Sequence, residues 1–133
     1  MKPAYGPRGC RFKLVITGAF LAEAASVVDN KLNVSGGVLS RYMVDPDRSA
    51  RLLLVVLTQV ETDNPVRRID VEVRPPTGDE PLHLDYELPE AAAGAEIGFA
   101  FFGIEVVLPF DGRWVIVVTG GAGVVSLPLM VSG

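Results

Sequence analysis

Only one cysteine, Cys10, and one histidine, His83, occur among the 133 residues. A lone cysteine cannot close an internal disulfide, so the fold must rest on its core, and this usage fits a reducing compartment such as the cytoplasm. A lone histidine leaves too few ligands for a histidine-based metal centre, so neither metal nor cofactor is expected. A basic excess is also missing: 12 Lys and Arg stand against 16 Asp and Glu, for a net charge of −4. Nucleic-acid binders carry a basic face, so no nucleic-acid partner is predicted. No apolar run approaches the roughly 18 residues a membrane helix needs. A sustained helical period, an internal repeat and low-complexity sequence are absent as well.

Apolar residues, by contrast, are abundant. They make up 49% of the chain and charged residues 21%, against about 25% charged in an ordinary soluble domain. Mean hydropathy is +0.35. The excess is spread over many short runs, which calls for packing between layers rather than burial in lipid. A chain of this length buries roughly two-thirds of its unfolded surface and reads as one domain.

Residues 1–11 hold two prolines, two glycines, Arg8 and Arg11 and read as an extended tail. The apolar stretch 14–22 behind it has the look of a secretory leader. Thr17 and Gly18 interrupt that core, however, and Glu23 sits where a cleavage site would carry uncharged residues. The tail is therefore predicted to be a strap lying on a neighbouring surface, with Tyr5, Arg8 and Cys10 as its contacts.

From residue 12 the chain is a string of short β-like runs separated by turn residues. The stretch "VVDNKLNVSGG" (27–37) sets the pattern: Asp29-Asn30 tolerates the left-handed conformations of a tight turn, and Gly36-Gly37 marks a bulge or a close backbone crossing. The turn is assigned to the first two strands of the sandwich, although "AFLAEAASVV" (19–28) also suits one or two helical turns. "RRIDVEVRP" (67–75) alternates, with Ile69, Val71 and Val73 on one side and Arg68, Asp70, Glu72 and Arg74 on the other. "PLHLDYELP" (81–89) repeats this, with Leu82, Leu84, Tyr86 and Leu88 inward. Residues 90–96 form a connection with room for one helical turn, and 97–109 a bent or bulged strand. Pro128 implies an edge or a bulge in the last strand. The prediction is all-β: an immunoglobulin-like antiparallel β-sandwich of about seven or eight strands over residues 12–133.

A sandwich strand alternates between interior and solvent, yet three runs do not. In 51–60, Leu53, Val55 and Leu57 are as apolar as Leu52, Leu54 and Val56. All five residues of 114–118 are apolar, and 124–131 carries Val124 and Met130 opposite its inward set. At about 25 cal/mol per Å² of apolar surface, leaving such faces wet forfeits several kcal/mol. Leu53, Val55, Leu57, Val115 and Val117 are therefore candidates for an interaction face covered by another subunit, and a homo-oligomer or a place in a larger protein complex is predicted.

Residues suited to catalysis are few. His83 shares a face with Asp85 and Glu72, but no G-x-S-x-G elbow accompanies it. "TGGAG" (119–123) is not followed by a helix to receive a phosphate. Arg48, Arg51, Arg67, Arg68 and Arg74 lie among Asp45, Asp47, Asp70 and Glu72, as an ordinary ion-paired surface does. Trp114 follows "FDGR" at the corner where sandwiches often place a tyrosine, and is read as a structural anchor.

Several of these stretches together, "LAEAASVVDNKLNVSGG", the hairpin around "PPTGD" and "VVLPFDGRWVIVV", resemble a bacterial family of small stand-alone β-sandwich domains of unknown function. The family's motifs match Val28 to Leu32, Gly36-Gly37, Pro76 to Asp79 and Pro109 to Trp114. The chain departs from them at Asn30, where the family has glycine, and at Trp114, where it has tyrosine. The resemblance spans residues 12–133 and implies a fold but no activity, catalytic residue or cofactor.

The sequence thus predicts a non-catalytic interaction subunit or accessory module, contacting partners through an apolar sheet face and the tail. A small-ligand or carbohydrate-binding module, with Trp114, Tyr42 or Tyr86 stacking on the ligand, is the alternative. A hydrolase using His83 is a third.

Overall fold

The computed structural model describes residues 14–60, 67–89, 97–121 and 123–133. The predicted tail, with Tyr5, Arg8 and Cys10, and the 90–96 connection lie outside the described residues.

Ten strands and no helix are present among the described residues: β1 (Leu14–Ala22), β2 (Ala24–Val28), β3 (Lys31–Ser35), β4 (Arg41–Met43), β5 (Ser49–Val60), β6 (Arg68–Arg74), β7 (Leu82–Glu87), β8 (Ile97–Val107), β9 (Gly112–Gly120) and β10 (Gly123–Ser132). The two beyond the predicted number are β2 and β4. The helical alternative over 19–28 does not form. The chain bends at Glu23, and the alanine-rich residues beyond it pair as a strand with β3. Local turn chemistry decides this. Asp29 and Asn30 both take left-handed φ, 53° and 61°, as a two-residue hairpin loop of the primed type requires. The hairpin is not the start of the sandwich, however; β2 and β3 form a separate two-stranded ribbon.

The sandwich itself has a three-stranded antiparallel sheet, β1-β5-β8, and a five-stranded sheet, β4-β10-β9-β6-β7, in which only the β4–β10 pair is parallel. Between them lies one core. The smaller sheet contributes Leu21, Leu52, Leu54, Val56, Ala100 and Ile104; the larger contributes Ile69, Val71, Val73, Trp114, Ile116, Val118, Leu129 and Val131. Each buried Leu, Ile or Val of this set is worth about 1.5–3 kcal/mol. β6 shows the predicted alternation, with Ile69, Val71 and Val73 buried and Arg68, Asp70 and Arg74 exposed. On β7, Leu82 is 44% exposed rather than interior, because it sits at the end of an edge strand. Pro128 lies on β10 before the residues that β4 covers, Met130 to Ser132, so its missing N–H falls on an open edge as predicted.

β1 carries a register shift between Ile16 and Gly18. This bulge changes which residues point inward. Ile16, opposite Thr58, and Leu21, opposite Leu54, both reach the core despite their odd spacing. Gly18, Phe20 and Ala22 consequently point away from it.

Candidate interaction face

Alternation along β5 sends Ala50, Leu52, Leu54 and Val56 into the core and Leu53, Val55 and Leu57 to the outer face of the three-stranded sheet. Cross-strand register completes that face in three rows: Gly18, Leu57 and Phe99; Phe20, Val55 and Phe101; Ala22, Leu53 and Gly103. No charged side chain interrupts the rows. Arg51 and Glu105, 3.6 Å apart, close one end, and Gln59 continues β5 at the other. Val55 is completely buried although it points outward, Leu57 is 37% exposed, and Phe20, Leu53, Phe99 and Phe101 are half-buried.

The segment that follows β3 crosses back over part of this face at Gly37, beside Phe20 and Ala22. Gly36 takes φ +66°, and a Cβ there would collide with the Glu23 carboxyl group. At Gly37 a Cβ would lie 3.0 Å from Val34 Cγ1 and 3.2 Å from Phe20 Cε1. The double glycine is thus the predicted close crossing. It shields the β1 side of the face, and among the described residues the β8 side stays open.

The five predicted face residues do not share one surface. Leu53, Val55 and Leu57 lie on the outside of the three-stranded sheet. Val115 and Val117 alternate with the buried Trp114, Ile116 and Val118 and so lie on the outside of the other sheet, across the core. An apolar run shows that both sides of a strand are greasy, but not which sheet the strand joins. Phe20, Phe99 and Phe101 escaped the sequence reading; the i, i+2 spacing of Phe99 and Phe101 was the available signal, and the bulge hid Phe20.

The outer side of β6 and β7 is polar. A shallow depression of about 340 Å³ is lined there by residues including Arg68, Asp70, Glu72, Arg74, His83 and Asp85. Its charges satisfy one another. Arg68 reaches Asp70 and Asp85, each at 3.0 Å, and Arg74 pairs with Glu72. A hydrogen bond shared with Asp85, and then the Arg68 guanidinium, hold the Asp70 carboxyl below the usual carboxylate range. His83 Nδ1 stands 3.8 Å from Glu72 Oε2 and its side chain is 72% exposed. Among the described residues no group of three or more His, Cys, Asp or Glu could hold a metal ion, and no helix is long and apolar enough to cross a membrane.

The aromatic candidates for ligand stacking are engaged elsewhere. Trp114 is 3% exposed, and its Nε1–H donates to the Phe110 carbonyl at 2.9 Å. It is buried in the core and tied to the turn that precedes β9. The Tyr42 hydroxyl accepts from the Arg51 N–H at 3.0 Å. Tyr86 packs on Phe102 with ring centroids 4.9 Å apart, and burial raises its pKa.

Arg48 has a structural part that its membership of a scattered basic group did not suggest. It takes φ 64°. Its Nε–H donates to the Leu108 carbonyl at 2.9 Å and its terminal nitrogen reaches Asp111 at 2.8 Å. The loop before β5 is thereby clamped to the loop before β9.

No known family model matches the chain, and no curated protein matches it. Among solved structures, β-glucosidase from Listeria innocua in complex with glucose is similar over 98% of this chain and 17% of its own, with a TM-score of 0.54 and 11% identity. The same enzyme in complex with isofagomine gives a TM-score of 0.44 and 12% identity over 87% of this chain and 16% of its own. The chain thus spans about a sixth of the enzyme's length. At that identity the likeness is one of fold alone: an all-β chain of stacked antiparallel sheets, in keeping with a β-sandwich.

Proposed function

We propose that this chain is a non-catalytic interaction subunit, of the kind found in small stand-alone bacterial β-sandwich domains, which assembles in the cytoplasm with a second copy of itself. The observation that carries this reading is the outer face of the three-stranded sheet: Phe20, Leu53, Val55, Leu57, Phe99 and Phe101 in continuous rows with no charge among them. Contiguous apolar patches of this kind mark interaction sites. The tail, residues 1–11, joins the contact in this reading. Occupied aromatics and self-satisfied charges elsewhere on the surface weigh against the carbohydrate-binding and hydrolase alternatives.

The test compares two charge insertions by light scattering on the full chain. Leu57→Glu, on the proposed face, is expected to give a monomer with unchanged circular dichroism. Val117→Glu, on the opposite sheet, is expected to keep the assembly. Equal behaviour of the two variants would overturn the reading, as would a wild-type chain that is monomeric at every concentration.

A further inference from the structure

Two copies of the apolar face, laid flat on each other, are too small for a stable interface. Three rows on three strands, at about 4.8 Å between strands and about 3.4 Å per residue, cover about 300 Å². The crossing at Gly37 takes up part of that area. A specific interface buries about 800 Å² on each partner, so a stable dimer needs a further contributor. Residues 1–13 precede β1, which starts at Leu14. Fully extended, a segment of that length spans about 45 Å.

The charge of this segment has one sign. It carries Lys2, Arg8, Arg11 and Lys13 and no acid, which leaves 8 Lys and Arg against 16 Asp and Glu in the rest of the chain. Tyr5 and Phe12 add aromatic rings. The face has the complementary make-up, with no charge within its rows and two acids against one base at one end. There Glu105, its side chain 74% exposed, lies one row beyond Gly103 beside Arg51, and Glu23 follows Ala22. A basic, aromatic segment along such a face matches rings to apolar rows and cations to acids. The course of β1 says whose face it is. β1 enters the sheet at Leu14, opposite Val60 and beyond the row of Gly18, Leu57 and Phe99, and runs toward Ala22. Traced backward, the strand points off the end of its own sheet. No glycine or proline stands from Cys10 to Lys13 to turn the chain back over it.

We propose that residues 1–13 of each copy lie across the outer face of the second copy's three-stranded sheet, on its open β8 side over Leu57, Phe99 and Phe101. This rests on the self-assembly reading above and names what covers the face. Each copy gives one tail and receives one, so the exchange closes under two-fold symmetry with a single kind of contact. The exchanged tails supply the buried area that the faces lack.

The experiment sediments two full-chain variants, alone and mixed. The tail variant combines Tyr5→Ser, Arg8→Gln and Arg11→Gln and keeps the face intact. Leu57→Glu spoils the face and keeps the tail intact. Each alone is expected to associate about tenfold or more weakly than wild type. An equal mixture is expected to recover a dimer, because the intact tail of one variant meets the intact face of the other. A tail variant that dimerises as wild type does would overturn the tail as occupant. A mixture no better associated than either variant alone would overturn the exchange. Both results leave the face reading standing on the contrast between Leu57→Glu and Val117→Glu. A wild-type chain that never dimerises would overturn both.

Discussion

Val55 and Phe101 stand directly opposite each other on β5 and β8, and Val55 is fully buried on the side of the sheet that faces away from the core. With Phe20 on its other flank, the chain partly roofs its own surplus of apolar side chains. The middle row is therefore part of what holds the fold together. Phe101→Ala should uncover Val55 and cost about 1–3 kcal/mol, less than a fully interior phenylalanine because the ring is half-exposed. Phe101→Leu should restore most of that loss. Urea unfolding of the two variants checks the pair; equal midpoints would deny the roofing.

Trp114 ties the turn before β9 to the core. Trp114→Phe keeps the apolar volume but removes the indole N–H that Phe110 accepts. About 1 kcal/mol is expected for the hydrogen bond, with a further loss for the smaller ring. Trp114→Ala should cost about 3–5 kcal/mol. Thermal melts distinguish the two steps.

Arg48→Ala should destabilise the fold by about 1–2 kcal/mol, because two charge-assisted contacts to the far loop are lost together. Arg48→Lys should recover little, since a single ammonium cannot reach both the Leu108 carbonyl and Asp111 in the guanidinium's geometry. A lysine variant as stable as wild type would show that charge, not the fork, matters.

Stability should fall on acidification below about pH 4. Asp47, held down by the Ser49 hydroxyl and N–H, and Asp70, held down by Asp85 and Arg68, both titrate lower in the folded state than in the unfolded chain. The unfolded state then binds more protons in that range. Their contribution is complete above the unfolded value and is lost as pH falls through it to the folded one. Melting temperature followed from pH 7 to pH 2 should decline later and more gently in Asp70→Asn than in wild type.

Much of this architecture is legible in the residues. The charged alternation of β6, the Asp29-Asn30 reversal, the Gly36-Gly37 crossing and the Pro128 edge all follow from local rules that need no partner strand. Assigning Leu53, Val55, Leu57, Val115 and Val117 to faces does need one. β5 and β9 are equally apolar runs, and only long-range pairing places them in different sheets. The bulge after Ile16 is likewise invisible locally, and with it the outward turn of Phe20. Arg48 illustrates a third case. Its importance lies in reaching a carbonyl sixty residues away, which no spacing rule encodes.

The central claim is that the apolar outer face draws two copies together, and sedimentation of the full chain across a wide concentration range tests it most directly. The account predicts a mass rising from 14.2 kDa toward twice that value, with the rise abolished by Leu57→Glu and retained by Val117→Glu. A mass fixed at 14.2 kDa over the whole range would contradict it.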